Sequence, residues 1–288
     1  MRPGRLVLLD GTGLLYRSFF AIAELSTRDG RPTNAVFGFI RALRQLQHTW
    51  RPTHWGVVLD GGMPQARVAL LPEYKAQRPP MPEKLRAQFP PIREYLERAG
   101  IPCWRVEGEE ADDVIASLTA RAGEAEETVI VSSDKDLLQL ITDRVTMVSS
   151  GKLDTRTGPQ DVVARTGVRP DQIVDWLALT GDDVDNIPGV PGVGPKTAAK
   201  LLQTFGSVEA LWPRLEEVEP VRIREVLRAH RAEVGRNQAL VALRRDVPCP
   251  LDWEQCAVRP EEPSRLLPFF ERMEFHSLAR PLEQGSLF

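Results

Sequence analysis

Three short apolar runs in the first half of the chain each end in aspartate: LVLLD (6–10), THWGVVLD (53–60) and TVIVSSD (128–134). Runs of this length and continuity read as buried strands. Between them stand segments with apolar residues at helical spacing, NAVFGFIRALRQLQ (34–47) and ADDVIASLTARAG (111–123). PCWRVE (102–107) and VTMVSS (145–150) add two more strands. This βαβ rhythm predicts an α/β class, with a mainly parallel central sheet and helices on both faces. Parallel strands present their carboxyl ends on one edge, and ligands bind in the crevice there. Asp10, Asp60 and Asp134 are therefore expected on one edge. Glu110, Asp112 and Asp113 join them at the start of the helix after the third strand.

Asp136 from SSDKDLLQL, with Asp182 and Asp185 from TGDDVDNIPG, brings the set to nine acids. Single acids at strand ends and helix N-termini are common as caps. Nine in one crevice would repel each other strongly. Hard divalent ions, Mg²⁺ or Mn²⁺, explain the arrangement, because they take oxygen ligands. Two such ions can clamp the attacking and leaving oxygens of a phosphoryl transfer. The formal net charge of −3 argues against a nucleic-acid partner when taken whole. It loses that force if the nine acids are committed to bound cations, because the remaining surface is then basic.

From Gly61 to about Glu97 the rhythm breaks into a basic, proline-interrupted insertion, expected to stand over the crevice. It carries Arg67, Tyr74, Lys75 and Arg78. Such a run is usually a solvated loop; over a metal crevice its cations could neutralise developing charge and Tyr74 could stack on a base. After Gly151 the pattern turns helical. Within DNIPGVPGVGPKTAAKLL, Gly189, Gly192 and Gly194 predict a tight turn, and a helix follows that opens with Pro195, Lys196 and Thr197. Such turns and helix N-termini offer N–H groups to phosphates. A later stretch, expected as an Arg-rich helix, carries Arg222, Arg224, Arg228, Arg231, Arg236, Arg244 and Arg245, for which backbone binding and plain surface are equally open readings.

Cys103, Cys249 and Cys256 form no CxxC pair, and the four histidines are scattered, which argues against a disulfide framework or a zinc site. No apolar run reaches membrane-spanning length, and the N-terminus lacks the core of a signal peptide. A cytoplasmic protein without membrane contact is expected.

LVLLDGTGLLYRSFFA, LPEYKAQRPPMPE, EADDVIASL, SSDKDLLQL and TGDDVDNIPGVPGVGPKTAAKLL occur in this order. Together they resemble the bacterial 5′-nuclease family: the 5′→3′ exonuclease domain of DNA polymerase I, stand-alone exonucleases and flap endonucleases. The resemblance implies a PIN-like nuclease core over 1–155, with a helical arch at about 62–97. It implies a helical DNA-binding part over 156–280, containing a helix–three-turn–helix at about 182–204. It maps the family's metal acids onto all nine acids above. It maps the phosphate-engaging catalytic basics onto Arg17, Lys75 and Arg78. It implies two-metal hydrolysis of DNA at 5′ flaps, nicks or 5′ overhangs, in replication and repair. Mg²⁺ or Mn²⁺ would serve as cofactor, with K⁺ at the helix–three-turn–helix, and a monomer is expected.

Two positions depart from the pattern, Ala66 and Glu109, where the family has larger apolar or aromatic residues. Glu109 is accordingly expected to be a solvated bystander. The tail 281–288 ends in QGSLF, which resembles a peptide that docks in the bacterial sliding clamp through Gln284, Leu287 and Phe288. Two other classes compete with the nuclease reading. A catalytically silent junction binder would not need the complete acid set. A ribonuclease of the related PIN fold would lack the glycine-rich duplex-binding hairpin.

Overall fold

The computed structural model describes residues 4–123 and 125–284. The chain opens with β1 (Arg5–Asp10), α1 (Gly11–Ala21), α2 (Asn34–Trp50) and β2 (His54–Val58). The insertion follows as α3 (Gln65–Leu70), α4 (Glu83–Arg86) and α5 (Phe89–Arg98). Next come β3 (Cys103–Trp104), α6 (Ala111–Arg121), β4 (Glu127–Val131), a 3-10 helix at Asp136–Leu140, β5 (Val145–Ser149) and β6 (Lys152–Thr157). The strands lie in the order β3-β2-β1-β4-β5-β6. All neighbours are parallel except β5 and β6. The parallel strands expected at 6–10, 53–60, 128–134 and 145–150 are all present; the one expected at 102–107 shortens to two residues, and antiparallel β6 adds to the expected set.

Alternation along the central strands splits the core. Leu6 and Leu8 face one hydrophobic cluster, and Val7 and Leu9 face the other. α6 covers the first face, and α2 and α5 cover the second. This is the two-faced burial that makes parallel strands read as continuous apolar runs.

The helical part comprises α7 (Pro159–Thr166), α8 (Ile173–Thr180), a small hairpin of β7 (Gly181–Asp182) and β8 (Ile187–Pro188), α9 (Pro195–Phe205), α10 (Val208–Leu211), α11 (Val221–Ala229) and α12 (Arg231–Val241). α12 is sewn to the hairpin: Asn237 Nδ2 donates to the carbonyls of Ala178 at 3.1 Å and Pro188 at 2.8 Å. α13 (Trp253–Cys256), α14 (Pro263–Arg272) and α15 (His276–Glu283) complete the chain. The last two helices return to the α/β unit. Phe269 and Phe270 pack against Tyr95 of α5. Residues 263–283 are therefore a layer of the sheet's second face and not part of the helical unit.

The insertion does not form one arch. α5 belongs to the core through Ile92, Tyr95 and Leu96. The middle of the insertion, residues 73–78, lies on the acid edge, laced to the hairpin by Gln77 Nε2, which donates to the Asp183 carbonyl at 2.9 Å.

Candidate metal centre

β1 ends on Asp10, whose carboxylate turns back to cap α1. Oδ1 accepts the Gly13 amide at 2.8 Å, and Oδ2 accepts the Ser132 hydroxyl at 3.0 Å. A Cβ at position 13 would sit 2.2 Å from Asp10 Oδ2, so any side chain there would displace that carboxylate. Asp60, beyond β2, caps α6 by accepting the Ala111 amide at 2.8 Å, while its own amide donates to Thr12 Oγ1 at 2.9 Å. Asp134 donates its amide to Ser132 Oγ at 3.1 Å and accepts the Asp136 amide at 2.9 Å. The caps hold these acids at fixed positions and leave their remaining lone pairs free.

Asp10, Asp60, Glu110, Asp112 and Asp134 line a cavity of about 650 Å³. Tyr16, Met63, Lys75, Arg78, Met81 and Phe89 supply other parts of its wall. Asp136, Asp182 and Asp185 form a second, buried group, with one oxygen of each within 4.8 Å of the others. Asp134 couples the two groups, raising both Asp112 and Asp136.

Burial and mutual repulsion raise four of them, Asp10, Asp112, Asp134 and Asp136, above the ordinary carboxylate range. Asp10 is pushed up to about 7, by burial first and then by the Asp60 charge. Asp112 and Asp136 rise well above the usual value, by burial and then by Asp134. Asp134 itself is raised, chiefly by burial. Asp136 Oδ1 is buried with no hydrogen-bond partner. An orphaned carboxylate oxygen among other carboxylates is costly. A hard divalent cation would satisfy it, and the all-oxygen donor set fits one.

Among the described residues, Lys75, Arg78 and Lys135 touch these acids, as does Arg67. The Lys75 ammonium bridges Glu110 and Asp185, the latter at 3.3 Å. Burial alone would lower its pKa, but the two carboxylates outweigh that and raise it. Arg78 Nη2 donates to Asp185 Oδ1 at 2.6 Å. Lys135 Nζ lies 3.1 Å from Asp182. Lys135 was missed from sequence, although its place between Asp134 and Asp136 was a signal; Ser132 and Thr12 were also missed, because orienting hydroxyls leave no pattern.

Several expected residues sit elsewhere. Asp113 does not line the cavity; it is buried and both its oxygens are held by Arg67. Arg67 in turn is 7% exposed, with its guanidinium also donating to Glu110 and to the Leu240 carbonyl. It cannot reach DNA without leaving these partners and the Ala242 carbonyl. Tyr74 is buried rather than offered to a base. Glu109 lies outside the cavity lining but is not solvated as expected, since Arg244 Nη1 lies 2.5 Å away.

Gly189 packs against the hairpin: a Cβ there would be 2.2 Å from the Thr180 carbonyl oxygen. Gly192 (φ 77°) and Gly194 do form an open turn before α9, with Lys196 exposed and Thr197 half-buried. Arg17 is exposed and lies over Gly151, outside the cavity lining. In the Arg-rich helix, Arg224 and Arg228 pair with neighbouring glutamates. Gln284 follows α15, and Leu287 and Phe288 lie outside the described residues. Among the described residues, no helix is long and apolar enough to cross a membrane.

Comparison with known proteins agrees with this architecture. Residues 5–167 match the N-terminal resolvase-like domain of 5′-3′ exonucleases, and residues 168–264 match their C-terminal SAM fold. The 5′-3′ exonuclease of Aquifex aeolicus is 39% identical over 280 residues, covering 97% of this chain and 95% of that protein. DNA polymerase I of Rhizobium leguminosarum is 41% identical over 296 residues, covering 99% of this chain and 29% of the polymerase. The chain thus spans about a third of the polymerases it matches. The bacteriophage T5 flap endonuclease, solved in complex with DNA and metal ions, superposes with a TM-score of 0.69 at 26% identity, over 82% of this chain and 88% of that one. The expected resemblance therefore holds across both units, and the chain belongs to the 5′-3′ exonuclease family.

Proposed function

We propose that the protein is a divalent-metal-dependent nuclease that hydrolyses DNA phosphodiesters at 5′ flaps and nicks. The observation that carries this reading is the pair of adjoining acid groups, one at the sheet edge and one, completed by the hairpin, that holds the orphaned oxygen of Asp136. Mg²⁺ or Mn²⁺ held by these carboxylates would polarise the phosphoryl oxygens and make water a competent nucleophile at neutral pH.

The chain's own residues supply the rest. Lys75 and Arg78, at the cavity wall, offset charge that builds on the phosphate. Tyr16 and Phe89 give that wall an aromatic face on which an unpaired base can stack. The exposed turn at Gly192 and Gly194, with Lys196 and Thr197 at the start of α9, offers amides and a cation to the duplex backbone. Support for DNA as substrate also comes from the T5 relative, whose structure holds DNA and metal ions.

A 5′-labelled flap duplex incubated with Mg²⁺ or with EDTA tests the reading. Short labelled products are expected with Mg²⁺ alone, and Asp134→Asn should abolish them while keeping the fold. Undiminished cleavage by Asp134→Asn, or no cleavage by the unaltered chain with Mg²⁺ or with Mn²⁺ in its place, would sink it.

A further inference from the structure

Tyr74 is 3% exposed, and its ring belongs to the core that unites α6 with the helical part. Its hydroxyl is 2.9 Å from Glu110 Oε2 and 3.0 Å from Asp185 Oδ2. The two carboxylates come from different units. Glu110 precedes α6 on the sheet side, and Asp185 lies in the turn between β7 and β8.

The position of that hydroxyl is fixed from three directions. Lys75 N–H donates to the Asp185 carbonyl at 3.0 Å. Asn186 Nδ2 donates to the Glu73 carbonyl at 2.7 Å, and Gln77 binds the Asp183 carbonyl. The backbone on both sides of Tyr74 is thus stitched to the turn that carries Asp185. The buried ring prevents the hydroxyl from swinging away.

Lys75 touches the same two carboxylates, but its role differs. Its ammonium is a cation on a flexible stem, so an incoming divalent ion competes with it for Glu110 and Asp185. A phenol is no cation: its single O–H, within reach of both carboxylates, donates a hydrogen bond without bringing a positive charge. It can orient the acids without opposing the metal.

We propose that Tyr74 is a positioning residue whose hydroxyl spans Glu110 and Asp185 and sets the spacing between metal ligands from the two units. This rests on the metal-nuclease reading of the same acids. Hydrogen-bond partners behind metal ligands typically change metal affinity about 10- to 100-fold when removed.

The test is Tyr74→Phe in the full chain, which keeps the ring and removes only the hydroxyl. Tyr95→Phe is the control: it deletes a buried hydroxyl 3.3 Å from Glu261, on the opposite face of the sheet. Mn²⁺ binding is measured without DNA by electron paramagnetic resonance, alongside the Mg²⁺ dependence of flap cleavage and the melting temperature in EDTA. Tyr74→Phe should weaken Mn²⁺ binding about tenfold or more and raise the half-saturating Mg²⁺ to match, with the rate largely recovered at excess Mg²⁺. Tyr95→Phe should leave Mn²⁺ affinity unchanged. Equal Mn²⁺ affinity in Tyr74→Phe and the unaltered chain would overturn the proposal, whatever the melting temperatures. Loss of Mn²⁺ affinity in Tyr74→Phe, in a chain that cleaves no flap, would keep this inference and reject the nuclease assignment.

Discussion

Arg67 holds Asp113 by both prongs: Nη1 lies 2.5 Å from Oδ2 and Nη2 lies 2.8 Å from Oδ1, in a pocket almost closed to water. The same guanidinium donates to Glu110 and to the Leu240 carbonyl. One side chain from the insertion therefore ties α6 to the end of α12. The Arg244 amide adds to this by donating to Asp113 Oδ1 at 2.9 Å.

Breaking a buried, paired charge leaves its partner uncompensated. Arg67→Ala should cost about 3–5 kcal/mol of stability, read by urea unfolding. Asp113→Asn should also lower the melting temperature, yet leave the Mg²⁺ concentration at half-maximal cleavage in place. Asp112→Asn should do the reverse, losing cleavage and keeping stability. A collapse of metal dependence in Asp113→Asn would return that residue to the metal centre.

Lys135 partly neutralises Asp182 from within the site. Lys135→Gln should raise the local negative potential and tighten Mn²⁺ binding by about threefold to tenfold. It should also destabilise the metal-free protein slightly. Calorimetric titration with Mn²⁺ checks both the sign and the size, and weaker binding would contradict the arrangement.

Asp10 titrates at about 7 in the folded chain but near 4 when unfolded. Between those values the folded state binds more protons, so stability falls as pH rises. In EDTA, the melting temperature should drop by on the order of 5 °C between pH 5 and pH 7.5. Excess Mg²⁺ should flatten or invert that slope, because the cation replaces the proton. A metal-free melting temperature that climbs over this range would show that the acids are not strained.

Glu109→Ala removes a half-exposed ion pair to Arg244, whose guanidinium also reaches Asp246. Exposed pairs contribute about 0–1 kcal/mol. Cleavage should stay near the level of the unaltered chain, and stability should fall by less than about 1 kcal/mol. A loss of cleavage matching Asp112→Ala would place Glu109 in the site after all.

Much of the sheet edge was readable from the chain. Strand-end acids follow from parallel strands, because every strand delivers its last residue to the same side. Asp10, Asp60 and Asp134 needed only that rule, and Glu110 and Asp112 needed the βα turn. The long-range partners were not readable. Nothing in the spacing of Arg67 and Asp113, 46 positions apart, announces a bidentate pair. Tyr74 looks like a binding aromatic beside two cations, until the hairpin closes over it.

The sequence by itself determined the α/β order, the edge on which the acids gather, and the family, because period and motif are local properties of the chain. Only the tertiary structure decided how the charges are divided. Eight acids remain in two adjoining groups, the ninth is consumed by Arg67, and Glu110 and Asp185 are brought to one tyrosine hydroxyl. That division depends on which side chains meet when the helical part packs against the sheet. Burial then sets whether each carboxylate keeps a proton, pairs with a guanidinium, or waits for a metal ion.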